Sequence, residues 1–426
     1  MDSLCTDFLP HDSMVGILSF LPVQSVLRFK TVSKSWNKLL SSPSFATTHY
    51  LASSPLAPTL PLLFHRNASF LTLLTLQHPN PDPSVSCCSF CRPRINKSHP
   101  NSRHYSFCRS KSHPNSRSYS FCWPRLFKSH PNSRYSSQPQ PFQSHPNSSH
   151  FSFCHPQPFK SHPDHPPLSM ASSHGMVCLK LYASSDQIFF VGNPATDKYI
   201  ILPRLSEDFI SIIGMMGFYF NPISQNFNIF VYGHSKNELK LFMFCSLVWK
   251  WRPIQNKWPK FSTIYVRMVC TSNTLYALCN DSRMLETFDL EREIWDGIST
   301  PGNEDSKCHE LRSWNDGISI ALLISDWEEL KIWVLSGEKN WVQMIQLDLQ
   351  SLRQSHSSEI NCFCMLPFLL VEDMFFIRSR RFEECKIIVY NVKDRSCRFL
   401  ASYSTNRVSD FGPYRPTLFS CEFRNQ

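Results

Sequence analysis

The sequence predicts an α+β multidomain protein: a small unit of three helices, then a mainly-β domain of about six similar strand units, with a disordered repeat insertion between them. Three observations support this prediction. Apolar residues recur at helical spacing within residues 9–45. Short apolar, β-branched and aromatic runs, broken by turns, continue from Met170 to the C-terminal region. Near-identical basic repeats fill residues 87–166.

The composition is that of a globular protein. The chain has 426 residues, of which 42% are hydrophobic and 13% aromatic, enough for a sizeable core. The longest apolar run, around residues 363–371, is shorter than the roughly 18 residues of a membrane span. The N-terminus carries acids where a secretory signal would carry bases, and 17 cysteines in such a chain indicate reduced thiols. We therefore expect a cytoplasmic or nuclear protein, or one present in both compartments, without membrane contact.

The net charge of +10 originates in the repeat tract. Residues 87–166 hold 11 Lys and Arg and one acid, Asp164, whereas the rest of the chain holds 32 bases and 32 acids. Because the regions outside the tract are neutral, they offer no basic field over a whole domain. Nucleic acid is therefore an unlikely partner for them.

Residues 9–45 predict three short helices. Asp12 or Ser13 is the expected N-cap of the first helix, and Pro22 ends that helix and suits the first turn of the next. The three apolar stripes, each at helical spacing, are Met14, Ile17, Leu18 and Leu21; Val23, Val26 and Leu27; and Val32, Trp36, Leu39 and Leu40. Residues 41–43 end the third helix. So thin a core predicts a unit that docks its apolar surface on a partner, or one that caps the following domain.

These residues resemble an F-box, the module that docks on the Skp-type adaptor of cullin–RING ubiquitin ligases. The resemblance rests on Leu-Pro pairs at residues 9–10 and 21–22 and on the run L-R-F-K-T-V-S-K-S-W at residues 27–36. Gly16 departs from the family pattern and should cost about 1 kcal/mol of helix propensity. The resemblance implies an adaptor-facing surface, or its immediate support, made of Leu9, Pro10, Ile17, Leu18, Leu21, Pro22, Leu27, Val32 and Trp36. The sequence does not separate contact residues from core residues.

The C-terminal two thirds of the chain contains repeated strand units. Each unit has a strand, a polar turn, an anchor residue and a second apolar strand. The anchors, separated by 52, 44, 46 and 56 residues, are Tyr199, Trp251, Trp295, Trp341 and Cys397. A loose period near 50 with several strands per unit predicts the blades of a β-propeller. Residues 60–76 supply a sixth, partial unit, so we expect six blades, with five or seven as alternatives and an irregular pair of β-sandwiches as the competing architecture.

This region resembles the F-box-associated, kelch-type domain of plant F-box proteins. The resemblance rests on S-H-G-M-V-C-L at residues 173–179, G-N-P-A-T-D-K-Y at 192–199 and F-D-L-E-R-E-I-W at 288–295. The kelch double-glycine motif is missing, which implies degenerate blades. The expected domains are the F-box at 1–50, a linker and first partial blade at 51–86, the disordered insertion at 87–167 and the propeller at 168–426.

The repeat tract is rich in possible metal ligands but lacks the ligand spacing and the apolar content of a folded site. The pentapeptide S-H-P-N-S starts at Ser98, Ser112, Ser129 and Ser144. The tract holds six cysteines and nine histidines, yet structural zinc sites need paired ligands at short spacing, and only Cys87 and Cys91 approach it. A proline in every repeat and the lack of long apolar runs predict disorder. Weak affinity for RNA or an anionic surface, and metal binding, are the alternatives.

No constellation in the sequence predicts catalysis. Glycine-rich phosphate loops, H-E-x-x-H and G-x-S-x-G are missing, and the tripeptide Cys308-His309-Glu310 has no partner at a ligand spacing. Trp295 and Trp341 recur at the unit spacing, so we expect them to pack between blades. Four cysteines on strand patterns are expected to pack as small hydrophobes: Cys270, Cys279, Cys362 and Cys364. We expect no catalytic residue, metal or cofactor.

The resemblances imply a substrate-recognition subunit of an SCF-type cullin–RING E3 ubiquitin ligase that is not itself an enzyme. The F-box would bind the Skp-type adaptor and, through it, the cullin, while the propeller would bind an unknown target protein. One alternative is an F-box scaffold or regulatory protein that acts outside ubiquitination. Another is a nucleic-acid-binding protein that uses the basic repeats. The lack of an acid or metal cluster disfavours a propeller enzyme such as a glycan oxidase.

Overall fold

The structure is a computed structural model that describes an N-terminal helical unit and a large β-domain. The described residues are 11–53, 59–65, 70–75, 118–122, 149–154, 169–183, 186–196, 198–205, 209–212, 216–235, 238–254, 266–279, 283–301, 307–314, 317–324, 329–337, 339–355, 364–371, 373–381, 384–404 and 408–420. None of the helices in these ranges has the length and apolar character needed to cross a bilayer.

The helical unit, residues 11–53, has four helices in its described part, one more than predicted. They are α1 (His11–Ser19), α2 (Val23–Phe29), α3 (Lys34–Leu40) and α4 (Pro43–Ser53). A new helix starts at Pro43 because proline suits the first helical position and the Oγ of Ser42 accepts the amide hydrogen of Phe45 at 3.2 Å. The apolar residues of α4 form no clear stripe, so no periodic signal in the sequence predicts this helix.

The helix starts differ in part from the predicted ones. α1 begins at His11, so Asp12 and Ser13 lie in its first turn, and the predicted N-cap at either residue is wrong. Pro22 does precede α2, as predicted. At α3 the N-cap is Ser33, whose Oγ accepts the amide hydrogen of Trp36 at 3.2 Å.

The β-domain consists of 26 described strands. The first eight are β1 (Leu60–His65), β2 (Phe70–Thr75), β3 (Ser118–Cys122), β4 (Ser149–Cys154), β5 (Ser169–Ser173), β6 (Met176–Ala183), β7 (Asp186–Asn193) and β8 (Lys198–Ile201). The next nine are β9 (Phe209–Ile212), β10 (Gly217–Phe220), β11 (Phe227–Ser235), β12 (Glu238–Cys245), β13 (Lys250–Pro253), β14 (Val266–Cys270), β15 (Thr274–Cys279), β16 (Met284–Asp289) and β17 (Ile294–Ser299). The last nine, with helix α5 (Leu349–Ser355) after β21, are β18 (Lys307–Trp314), β19 (Gly317–Ile324), β20 (Glu329–Leu335), β21 (Trp341–Asp348), β22 (Cys364–Val371), β23 (Met374–Arg381), β24 (Glu384–Asn391), β25 (Cys397–Ser404) and β26 (Val408–Tyr414).

These strands form six sheets in the part of the chain that the structure describes. Sheet 2 (β5–β8), sheet 4 (β14–β17), sheet 5 (β18–β21) and sheet 6 (β22–β25) are antiparallel meanders of four strands. Sheet 3 runs from β10 to β13, and β9 pairs with β11. Sheet 1 has the order β26-β1-β2-β4-β3. The architecture confirms the predicted mainly-β domain of repeated strand units.

Sheet 1 joins the two ends of the β-domain. β26 pairs antiparallel with β1, and Leu62 lies opposite Gly412. The sequence predicts residues 60–76 as a partial unit and assigns no strand to residues 408–414. The C-terminal strand therefore completes a unit that the N-terminal strands begin.

Neighbouring sheets meet through their first strands. β5 contacts β10, and the contacts continue from β10 to β14, β18 and β22. β26 of sheet 1 contacts both β22 and β5. Within the described ranges, backbone ladders lie inside sheets rather than between them, so contacts made by side chains hold the sheets together, as expected for propeller blades.

The turns before the anchor residues share one backbone conformation. In sheets 3 to 6 a non-glycine residue with φ between 53° and 60° lies two positions before the anchor; these residues are Trp249, Glu293, Lys339 and Arg395. Two anchors also bond to the preceding sheet. Nε1 of Trp251 donates to the carbonyl of Pro203 at 2.9 Å, and Nε1 of Trp341 donates to the carbonyl of Ser299 at 2.7 Å. The recurring spacing in the sequence thus reflects a repeated turn followed by a residue that contacts the neighbouring sheet.

Two segments of the repeat tract differ from the predicted disorder, because β3 and β4 lie inside it. Their sequences, S-Y-S-F-C and S-H-F-S-F-C, place aromatic residues between serines, a pattern that suits a strand. β4 pairs with β2 and lies parallel to β3, so the edge of β2 supplies the pairing that isolated repeats lack. The other residues of 87–167 lie outside the described residues, and their disorder stays a prediction.

A continuous buried core joins the helical unit to sheets 2 and 3. Its members from the helical unit are Leu18, Val23, Val26, Leu40, Phe45 and Ala46. Its members from the β-domain include Met176, Phe189, Phe218, Phe227 and Phe244. The helical unit therefore caps the β-domain, which was one of the two predicted alternatives. Its function depends on which of its apolar residues stay exposed.

Candidate functional site

The candidate site is the outer surface of the helical unit, where the sequence predicts nine adaptor-facing residues. The structure describes seven of them. Leu9 and Pro10 lie outside the described residues, so their role stays a prediction. The other seven fall into three groups that differ in burial.

Leu18 belongs to the core of the unit. Only 4% of it is exposed, and it lies in the same cluster as Val26 and Leu40. A residue with so little exposure supports the surface rather than forming it, because a partner has almost no part of it to contact.

Ile17 and Val32 are the large apolar members of the predicted set that face solvent. They are 56% and 63% exposed, and Pro22 is exposed as well. Phe20, which is not among the nine predicted residues because it lies outside the first apolar stripe, is 61% exposed. Its position three residues after Ile17 was the available signal, since residues at that spacing lie on one helix face.

Leu21, Leu27 and Trp36 lie between these extremes, half-buried and packed against the core. The rings of Trp36 and Phe29 meet edge to face, with centroids 5.6 Å apart and an interplanar angle of 79°. The cap at Ser33 fixes the start of α3 and hence the position of Trp36. These three side chains pack one side against the core and leave the other side partly exposed.

The described part of the helical unit carries more basic than acidic side chains. The described residues 11–53 contain four Lys and Arg, namely Arg28, Lys30, Lys34 and Lys38, and one carboxylate, Asp12. A basic unit with exposed apolar side chains complements a partner surface that carries acidic residues.

Behind this surface, His49 of α4 is a buried polar group with both ring nitrogens in use. Nε2 lies 2.8 Å from the carbonyl of Leu21, and Nδ1 lies 3.4 Å from Oγ of Ser53. Burial lowers the pKa of His49 below its ordinary value, and the positive charge of Arg415 adds to this lowering, while the bond to Leu21 opposes it. The neutral ring therefore connects α4 to the turn after α1.

The described part of the chain offers no cluster of three or more His, Cys, Asp or Glu side chains that could hold a metal ion. The side chains of Cys308, His309 and Glu310 lie outside the description. Cys270 is buried in an apolar cluster, as predicted; Cys362 and the side chains of Cys279 and Cys364 are not described.

Two family matches cover the chain. Residues 7–48 match the F-box domain, and residues 125–409 match the family described as F-box associated beta propeller domain. The second match spans more than half of the chain and includes sheets 2 to 6. The matched description does not specify a kelch type, which stays a prediction.

Curated relatives come from Arabidopsis thaliana. The putative F-box protein At3g47150 is 37% identical over 84 residues, which cover 20% of this chain and 23% of that protein. The putative F-box protein At5g15660 is 37% identical over 89 residues, covering 20% of this chain and 18% of its own length. A third, the putative F-box protein At3g10240, is 22% identical over 400 residues, covering 92% of this chain and 85% of its own. The chain thus spans about a fifth of the first two relatives and most of the third.

Proposed function

Because the chain belongs to the family of F-box proteins with an F-box-associated β-propeller domain, we propose that it is the substrate-recognition subunit of an SCF-type cullin–RING E3 ubiquitin ligase. Its F-box binds a Skp-type adaptor and, through the adaptor, a cullin. Its propeller binds a target protein for ubiquitination. Its site of action is the cytoplasm or the nucleus.

The observation that carries this proposal is the exposed apolar surface on an F-box whose opposite side is already buried. α4 packs against the β-domain, so the protein's own core does not cover Ile17, Phe20 and Val32. Large apolar side chains that stay exposed on so small a unit are candidates for contact with a partner. An adaptor with a complementary apolar surface and acidic residues at its rim would cover them.

The proposed chemistry takes place on other subunits. Holding the target beside a ubiquitin-loaded enzyme raises the effective concentration of its lysines, and this proximity accelerates transfer without a reacting group from this chain. The chain therefore contributes two binding surfaces and a fixed connection between them.

Within the adaptor surface we assign contact to Ile17, Phe20 and Val32, and partial contact to Leu21, Leu27 and Trp36. Large exposed apolar and aromatic side chains at the centre of an interface are its usual energetic hot spots. Pro22 shapes the turn between α1 and α2. Leu18 supports the surface from the core.

Co-purification of the full chain with an adaptor and a cullin tests the proposal. Replacing both Ile17→Asp and Val32→Asp places charges in the apolar contact without changing the core, and adaptor affinity should fall by at least about 30-fold, the effect of a loss of 2 kcal/mol. Leu18→Asp is unsuitable because it would place a charge in the core and unfold the unit.

Leu51→Asp is the matched control. Leu51 is 58% exposed on α4, outside the proposed contact, so this variant should bind the adaptor like the wild type. If the wild-type chain captures no adaptor, the proposal is wrong. If it captures the adaptor without a cullin, the protein is an F-box scaffold outside ubiquitination. Loss of low-salt RNA binding on deletion of residues 87–166, with no adaptor captured, would favour the nucleic-acid alternative.

A further inference from the structure

We propose that residues 414–419, here called the C-terminal clamp, fix the orientation of the F-box on the propeller, and that Arg415 is the positioning residue. The clamp begins at Tyr414, the last residue of β26, and lies between sheet 2 and helix α4. The mechanical part of this inference needs no adaptor. Its consequence, a fixed path from adaptor to target, rests on the proposed function.

One side of the clamp is bonded to sheet 2. The side chain of Asn193, which is completely buried, donates from Nδ2 to the carbonyls of Thr417 at 3.0 Å and Phe419 at 2.7 Å. Its Oδ1 accepts the hydroxyl of Tyr414 at 3.0 Å. One buried amide therefore holds both ends of the clamp, and a buried polar group with satisfied bonds of this kind is costly to displace.

Close packing at the β5–β6 turn also fixes the clamp. Gly175 has φ +80°, and a Cβ at this position would collide with the side chain of Thr417 and lie 2.6 Å from the carbonyl oxygen of Arg415. The clamp backbone occupies the space that a side chain at position 175 would fill, so the clamp has no room to move toward sheet 2.

The other side of the clamp holds the last turns of α4. Nη2 of Arg415 donates to the carbonyl of Tyr50 at 3.2 Å, and the guanidinium carbon lies 4.6 Å from the centroid of the Tyr50 ring. The Tyr50 ring also meets the ring of Phe419, with centroids 5.4 Å apart. Arg415 thus binds both the backbone and the ring of one F-box residue.

A second attachment holds the first turns of α4. Nε2 of Gln225, in the β10–β11 turn of sheet 3, donates to the carbonyl of Pro43 at 2.9 Å and to Oγ1 of Thr47 at 3.2 Å. Oγ1 of Thr47 donates to the carbonyl of Pro222 at 3.1 Å. Gln225 itself has a left-handed backbone conformation, with φ 57°, and this conformation forms the turn from which its side chain contacts α4.

A single attachment would let the F-box rotate relative to the propeller, and two separate attachments prevent this rotation. Pro43 and Tyr50 are seven residues apart, about 10 Å along a helix, so a rotation about either attachment breaks the other. The F-box and propeller then move as one body, and a target on the propeller meets the adaptor-bound machinery at one angle.

Single-molecule energy transfer between the F-box and the propeller in the full chain tests this inference. Dyes are attached through genetically encoded amino acids at Lys38 and Ile294, both exposed, because 17 native cysteines would compete for thiol chemistry. The wild type should give one narrow population. Arg415→Gln should broaden or split it, Arg415→Lys should partly restore it, and Arg292→Gln, at an exposed arginine away from the clamp, should leave it unchanged.

The thermal midpoint of the propeller should stay at the wild-type value in Arg415→Gln, which separates positioning from folding. If this variant unfolds, Tyr50→Leu provides the second test, since it removes the ring and leaves the bonds of Asn193 intact; it should broaden the distribution in the same way. A broad wild-type distribution, or a narrow one in both variants, overturns the clamp. Adaptor capture by Arg415→Gln should equal wild type, so failure of the clamp and failure of adaptor binding give different results.

Discussion

Nε2 of His49 donates a hydrogen bond to the backbone carbonyl of Leu21, 2.8 Å away. A carbonyl oxygen can only accept, so this contact places the proton of the neutral ring on Nε2 and leaves Nδ1 to accept from Ser53. The bond crosses from α4, which packs on the propeller, to Leu21 in the turn after α1, close in sequence to the exposed Ile17 and Phe20. His49 therefore connects the buried side of the F-box with its exposed side in the neutral form of the ring.

Acidification should weaken the F-box through this residue. Burial lowers the pKa of His49 in the folded protein below the ordinary 6.5, so near and below pH 6.5 the unfolded chain binds a proton that the folded chain does not. Linkage then makes the free energy of unfolding constant above this range and lower as pH falls from about 6.5 toward the folded pKa. Denaturant unfolding from pH 8 to pH 5 measures this change.

His49→Gln isolates the effect from the other titrating groups. Glutamine keeps a side-chain donor for the carbonyl of Leu21 but does not titrate, so the difference in unfolding free energy between wild type and variant should shrink as pH falls below about 6.5. A difference that stays the same from pH 8 to pH 5 would contradict the assignment of His49 as a neutral connecting group.

The strand units of the fold could be predicted because their signals are local. In sheets 3 to 6 the anchor follows a turn with a left-handed residue two positions earlier, as at Glu293 and Trp295, so turn and anchor recur within a few residues of sequence. The pairing of Leu62 with Gly412 could not be predicted in this way. The sequence of neither strand indicates which strand it pairs with, because the pairing depends on the two ends of the domain meeting in the folded protein.

The candidate site was predictable as a segment and not as individual contacts. Ile17 and Leu18 are adjacent and equally apolar in sequence, yet one is exposed and the other buried, because helix α4 covers one side of α1. That helix was itself missed. The contact of Arg415 with Tyr50 joins residues 365 positions apart, and such a pair leaves no periodic signal.

Gly175→Ala should destabilise the protein. Position 175 has φ +80°, a conformation that costs an L residue about 1–3 kcal/mol, and the new Cβ would collide with Thr417. Gly337→Ala is the matched control, because no atom lies within 4 Å of its Cβ position; it should be neutral or stabilise by up to about 1 kcal/mol. Chemical denaturation of the two variants in parallel measures both, and equal stabilities would mean that the clamp moves aside at no cost.

Replacing the two inter-sheet tryptophans should lower the free energy of unfolding by different amounts, although both make the same kind of hydrogen bond. Trp251 and Trp341 each donate Nε1 to a carbonyl of the preceding sheet, but Trp251 is buried in the main core and the bond of Trp341 is exposed. Trp251→Phe leaves the partly buried carbonyl of Pro203 without its donor and should cost about 1–3 kcal/mol. In Trp341→Phe, water can replace the indole at the carbonyl of Ser299, so the cost should stay below about 1 kcal/mol. Equal losses in denaturant unfolding would show that ring packing, which both exchanges reduce, outweighs the hydrogen bond in holding neighbouring sheets together.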